Sequence, residues 1–451
     1  MKKFICFAMS LILSAAFFAG CKNGKDSVGD SDGKTETYNR DEGLVPDSED
    51  AFFDDFTDRE YSAGIWNVMN SKWGPAFNHG VRPENVGWND SGVVTIRSFG
   101  KYYGDANKTC QGGCLITKKA YGPGRYEVKM KLVPRFGACT AFWTFMYGTA
   151  QDLEGNVQTQ LNQEIDIELN VGGDFHNVWF TNWHTEDLKS HVEKTSDFAH
   201  NDGEWHLYTF EWHTNPARVD YYIDNVHYYT ARSYVPYVAG ALNIGNWFPD
   251  SWAGVPDFEE DYMQIDYVRY TPYKSQPFTP SRAGGGAAEF PSVSTPLPAP
   301  ANLISNGGFE YTYAEQERTV NAWSSYQNAE TVREGDNTVM KVSGEDSVAS
   351  QLVSVANEGV EYTVTAKVKL ADAISSGAIA AYFLKANTEY VGSRVAVDIS
   401  SSSEGYADGE YFNVTLKFTA PKGAKRISLY LECAGGEIFF DDVFMNMTNR
   451  L

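Results

Sequence analysis

From residue 92 to residue 270 this chain repeatedly alternates apolar and polar residues with a period of two, which is the spacing of a β-strand that buries one face. The runs are 92–97 (GVVTIR), 125–132 (RYEVKMKL), 205–212 (WHLYTFEW), 219–224 (VDYYID) and 263–270 (MQIDYVRY). Turns rich in Gly, Asn and Asp separate them, and no segment carries a convincing helical period. The expected fold class is therefore all-β, an antiparallel sandwich. Residues 302–451 repeat the pattern in 361–370, 411–418, 426–431 and 437–443, which predicts a second all-β domain.

One run has unusual chemistry. In Glu164-Ile165-Asp166-Ile167-Glu168 the strand period sends three acids to one face and both isoleucines to the other. Two carboxyl groups facing one another across a sugar ring are the minimum apparatus for glycosidic hydrolysis. Three like charges close together resist full ionisation, so at least one acid keeps its proton near neutral pH. The competing reading is a solvated acidic face. Against it, the flanks Gln163, Leu169 and Asn170 bring no positive charge, and crowded like charges on a purely structural sheet are unfavourable.

Composition narrows the partners. Lys2 and Lys3, the apolar run 4–19 and Gly20-Cys21 read as an export signal, too short for a confident membrane span. Phe18-Ala19-Gly20-Cys21 resembles a bacterial lipobox, whose cysteine is lipidated, so the protein is expected to be exported and anchored by lipid to an outer membrane or cell surface. Loss of residues 1–20 removes two lysines and takes the formal charge from −22 to −24. Nucleic acid is excluded as a partner by that charge, since phosphate backbones call for basic patches. A neutral polysaccharide is compatible, and a monomer is expected. Cys110 and Cys114 are spaced to allow a small disulfide or half a zinc site, but no second His or Cys pair follows. Cys139 and Cys433 are possible free thiols.

The organisation expected is a signal peptide over 1–20, a flexible acidic tether over 21–48, a first sandwich over 49–273, a Gly/Pro-rich linker over 274–300 and a second sandwich over 301–451.

With the acidic strand set among alternating strands, residues 50–273 resemble glycoside hydrolase family 16. The resemblance runs through 53–56 (FDDF), 121–130 (YGPGRYEVKM), 137–143 (GACTAFW), the acidic strand, 205–212, 221–224 and 265–270. It implies a concanavalin-like β-jelly-roll. It also implies Glu164 as nucleophile, Glu168 as general acid/base and Asp166 as the acid that tunes them, in a retaining mechanism without an organic cofactor. Asn78 and Asn243 match sugar-contacting positions. Trp143, Trp183, Trp247 and Trp252 are the stacking candidates, the turn composition around Trp252 arguing for exposure, and His184 is a candidate for a sugar hydroxyl. The family's structural calcium would fall on Asp266 with the carbonyls of Gly92 and Asp55. Asn162, Cys114 and Ile116 depart from the lichenase pattern.

The second sandwich resembles jelly-roll carbohydrate-binding modules through 302–310 (NLISNGGFE), Trp323 and 440–443 (FDDV). By that resemblance Trp323, Tyr326, Tyr382 and Tyr390 are platform candidates, and Glu310 and Asp441 are calcium candidates. The function expected is that of a retaining endo-β-glycanase, with a β-1,3/1,4-glucan as the substrate expected first. A galactan hydrolase, a transglycosylase and a non-catalytic glycan-binding lipoprotein are the alternatives.

Overall fold

The computed structural model describes residues 40–72, 78–100, 110–249, 251–254, 256, 258–282, 287–310 and 323–450. Two β-layers form the first sandwich. In the front layer the strands run in the order Ala287–Glu289, Trp66–Met69, Cys110–Tyr121, Gly240–Trp247, Cys139–Gln151, Val157–Leu169, Asn177–Trp183 and Lys189–Thr195, all antiparallel. Glu260–Pro272, Gly124–Lys131, His206–Thr214, Ala217–Ile223 and Val226–Ala231 are the centre and one side of the back layer. Apolar faces of the two layers meet in one core, where Phe142 and Phe210 lie 5.1 Å apart and Phe180 and Tyr221 4.4 Å apart. The described helices are short; the α-helix Arg59–Ile65 is capped by the Asp58 side chain.

Two segments expected to be loose are packed down. Residues 40–48 lie on the back layer, with the Val45 amide on the Pro272 carbonyl at 2.9 Å and Arg40 on Glu211 at 2.8 Å. The tether reading therefore stops short of 48, and its remainder, 21–39, lies outside the described residues. The expected linker is a strap across the first sandwich. Gln276 Oε1 accepts from the Thr214 and Asn215 amides, residues 287–289 add an edge strand, and Phe290 is buried against Phe56. Its Gly/Pro content misled because composition reports local backbone freedom, whereas the edge pairing of 287–289 and the burial of Phe290, about 1.5–3 kcal/mol, come from contacts with strands remote in sequence.

Among the described residues the second sandwich has two five-stranded sheets. One is ordered Ser324–Tyr326, Ser347–Val353, Arg426–Gly435, Ser376–Leu384 and Tyr390–Ile399. The other is ordered Ala329–Glu334, Asn337–Ser343, Glu437–Met447, Glu361–Leu370 and Phe412–Thr419. Trp323, a platform candidate by sequence, is a core residue here: it packs on Phe309 and donates Nε1 to the Asn306 carbonyl at 3.0 Å. The Cys110–Cys114 disulfide does not form. Both residues are buried on one strand, where four residues of rise, about 13 Å, exceed the reach of a disulfide. Cys139 and Cys433 are free and buried as well.

Candidate active site

The acidic strand Val157–Leu169 lies inside the front layer between Cys139–Gln151 and Asn177–Trp183. Ile165 and Ile167 are fully buried in the core, and each such side chain stabilises the strand by about 1.5–3 kcal/mol. That burial fixes the register, because a slip of one residue would put three acids in the core. On the opposite face Glu164 stands between Phe145 and Trp183, Asp166 between Trp143 and Thr181, and Glu168 between Ala141 and Trp179.

Withdrawal from water pushes all three acids up. Burial is the largest cause for Asp166, and the charges of Glu164 and Glu168 add to it, so its carboxyl lies well above the usual range. Asp166 therefore keeps its proton and donates it to Glu164, while the Trp183 indole bonds Asp166. Burial raises Glu164 to about 7, offset by the bonds from Asp166 and Asn162, the latter with Nδ2 3.4 Å from Glu164 Oε2. Glu168 rises to about 8 through burial and the Glu164 charge, against an opposing pull from Lys189. The arrangement thus holds one carboxylate supported by a donated proton beside one carboxylic acid.

Aromatic residues line the same face on both sides of the acids. Beside Glu168, Trp179 packs on Trp252 at 4.8 Å with the rings tilted by 30° and donates its Nε1 to Glu193 at 2.7 Å, and Trp247 meets Trp252 edge-on at 5.9 Å. Beside Glu164, Phe145 and Tyr147 are exposed, nearly coplanar and 6.4 Å apart. Trp143 is buried beneath this face. Trp183 carries the Lys189 ammonium 4.2 Å from its ring centroid.

Asn243 pairs with Trp143, is buried, and leaves Oδ1 without a protein donor. Cys114 and Ile116 neighbour it as a buried apolar patch of the floor. His184 is not brought to the acids: its ring lies against Tyr237, and Nδ1 is 3.4 Å from the Val235 carbonyl. Asn78 opens the short strand Asn78–Val81, but its side chain, like Cys21, lies outside the described residues.

Sequence reading passed over Trp179, Phe145, Tyr147, Lys189 and His191. His191 sits 3.0 Å from the Thr181 hydroxyl and edge-on to Trp179, its basicity lowered by burial and by Lys189. A signal for the aromatics was present. Counting by twos from Trp143 reaches Phe145 and Tyr147, and counting back from Trp183 reaches Trp179.

The expected calcium ligands are only partly suited to an ion. Gly92 lies close against the Asp55 carbonyl, where a Cβ would come within 2.6 Å. Asp266, however, is ion-paired with Lys129 at 2.8 Å. An ammonium already serves the one carboxylate among these ligands, so the set as arranged does not fit a divalent cation.

Comparison with known proteins agrees with this geometry. The family model "Glycosyl hydrolases family 16" matches residues 85–269, a span within the first sandwich. The beta-glucanase of Paenibacillus macerans is 30% identical over 206 residues, 44% of this chain and 78% of that protein. The beta-glucanase of Bacillus amyloliquefaciens is 29% identical over 230 residues, 49% of this chain and 87% of that protein. Among solved structures, a Bacillus licheniformis beta-glucanase is similar to 49% of this chain over 97% of its own length, with 22% identity and a TM-score of 0.40. With its three acids on one strand of an antiparallel sandwich, this chain belongs to glycosyl hydrolase family 16 and is a glycosidase.

Proposed function

We propose that the protein is a retaining endo-β-glycanase acting on a β-1,3/1,4-glucan, with Glu164 as nucleophile and Glu168 as acid/base. In the first step Glu164 attacks the anomeric carbon as Glu168 gives its proton to the departing oxygen, so one C–O bond forms and one breaks. Glu168, now ionised, takes a proton from water, and the resulting hydroxide displaces Glu164 from the sugar. Asp166 keeps its proton throughout and positions Glu164. The observation that carries this reading is that Glu164, Asp166 and Glu168 share one face of a single strand flanked by aromatic residues, with Asp166 bonded to Glu164 and burial raising Glu168. Support for the substrate comes from the beta-glucanase relatives and from aromatic faces on either side of the acids, which suit stacking on a polymer. No step needs a cofactor, and none is routed through calcium.

Treating the protein with barley β-glucan and following the first products by NMR tests the assignment. Retention of the β-anomer is expected, together with roughly 10⁴-fold slower cleavage by Glu164→Gln. Initial release of the α-anomer, or an unimpaired variant, overturns it.

The second sandwich is proposed to hold the same glycan on the outer face of one sheet. Tyr382 lies 4.6 Å from Tyr430 and 6.0 Å from Tyr390, beside the paired Arg394 and Glu432. Cancelling charges suit a neutral sugar. Loss of retardation in β-glucan gels by full-length Tyr382→Ala/Tyr430→Ala is expected, and unchanged retardation counts against it. Lipidation of Cys21 and anchoring at a bacterial surface complete the proposal; absence of labelled palmitate from the wild type, or its persistence in Cys21→Ala, would exclude that anchor.

A further inference from the structure

The Trp252 segment is secured from two sides. The Gly172 amide donates to the Trp252 carbonyl at 3.1 Å, and the Gly137 amide donates to the Ala253 carbonyl. Contact there is close, since a Cβ on Gly137 would lie 2.6 Å from the Pro256 ring and one on Gly254 3.2 Å from Phe136. Trp252 in turn backs Trp179, the direct neighbour of Glu168.

Both supporting turns face the second sandwich. Phe136, partly buried, packs on Phe175 with ring centroids 4.3 Å apart and planes tilted by 36°, against a buried apolar cluster of Phe175, Ala199 and Val355. Asp174 pairs with the His176 ring Nδ1 at 2.9 Å and accepts from the His176 amide at 3.0 Å and from Lys425 Nζ at 3.0 Å; the His176 contacts first, and then Lys425, hold its carboxyl well below the ordinary range. The Asn357 amide group reaches the Asn201 carbonyl at 3.2 Å, and Arg135, buried on Asp261, donates to the Asn302 carbonyl at 2.8 Å.

We propose that the second sandwich positions the aromatic wall beside Glu168: docking of Val355 and Lys425 fixes the 136–137 and 171–175 turns, and these fix Trp252 and Trp179 for the glycan. Val355 and Lys425 are thereby positioning residues for substrate binding, although neither belongs to the acidic site. This rests on the glycanase reading for its kinetic consequence and on the fold alone for its structural one.

The test uses the full chain with Lys425→Ala, Lys425→Arg and Val355→Ser. Hydrogen exchange needs no substrate. The Gly172 and Gly137 amides are expected to exchange at least about tenfold faster in Val355→Ser and in Lys425→Ala, with Lys425→Arg restoring protection. On barley β-glucan, KM is expected to rise several-fold with kcat within about twofold, and Trp252→Ala should abolish any further effect of Lys425→Ala because the two act through one element. Unchanged exchange at both glycines overturns the proposal, as do additive effects of Lys425→Ala and Trp252→Ala. A wild-type protein that cuts no glycan yet shows the exchange response sinks only the glycanase reading.

Discussion

Two acidic strands of the first sandwich obey the same local rule and end in opposite roles. Glu164, Asp166 and Glu168 alternate with Ile165 and Ile167, while Glu211 alternates with the core residues Phe210 and Trp212 on the back layer. Both sets face away from the shared core. Glu211 is fully buried, yet Arg40 and Arg125 reach its Oε1 at 2.8 and 2.9 Å, and Arg218 holds neighbouring Asp220 at 2.7 Å. Burial still raises Glu211, but the two guanidiniums pull against it. Around the acidic triad the bonding partners are another carboxyl, an indole and an amide, and the Lys189 ammonium opposes the rise of Glu168 only in part. A buried acid closed off by arginine is structural; half-buried acids such as Glu164 and Glu168, which share protons with the buried Asp166 between them and still reach the surface, are poised for chemistry.

His213 extends the contrast. With Glu211 and Asp220 it forms a compact cluster of potential metal ligands. Burial and Arg218 lower its basicity to about 4, and Arg218 Nη2 lies 3.2 Å from its Nε2. Three arginines around this cluster disfavour a cation, so it reads as a closed charge network.

The comparison breaks most decisively if the two sets respond alike to substitution. Glu164→Gln is expected to remove roughly 10⁴-fold of kcat with the fold retained, and Glu168→Gln about 10²–10⁴-fold. Glu211→Ala should instead leave the arginines without their buried partner and cost about 3–5 kcal/mol in denaturant unfolding, with kcat at 25 °C close to wild type. A strongly active Glu164→Gln, or a catalytically dead but fully stable Glu211→Ala, would reverse the assignment of roles.

The pH profile sharpens the same contrast. Activity needs Glu164 ionised and Glu168 protonated, so kcat/KM should fall below about 7 and again above about 8. The limbs belong to the coupled acids as a set. A profile flat from pH 5 to 10 would contradict it.

Stability should carry the smallest signal. Folded-state values of Glu164 and Glu168 lie above the ordinary glutamate value of 4.5, so between that value and about 7–8 the folded chain binds more protons than the unfolded one. Stability is then lost as pH rises through that window. Asp166→Asn removes a carboxyl raised in the same direction. Its melting temperature, relative to wild type, is expected to gain about 2–4 °C more at pH 8 than at pH 4. An equal difference at both pH values would mean the site stores no such cost.

Much of the front layer could be read from spacing alone. The strand period placed Glu164, Asp166 and Glu168 together and sent Ile165 and Ile167 to the core, as found. Trp252, expected from turn composition to be exposed, is half-buried and packs on Trp179 beside Glu168. Trp323 was misread because a tryptophan in a sugar-binding motif and one in a core have the same local sequence. The strap at 274–300 was misread because Phe290 finds its pocket more than two hundred residues away, beside Phe56. Arg40 lay in a segment with the composition of a tether, and only folding shows it closing on Glu211.

By itself the sequence determined the all-β class and which side chains share a face, because alternation is a property of neighbouring peptide units and needs no distant contact. The tertiary structure decided which acid holds a proton, which acids are neutralised by arginine, and which tryptophans stay open. Those outcomes depend on desolvation and on charges brought through space from remote strands, and a one-dimensional pattern does not encode either.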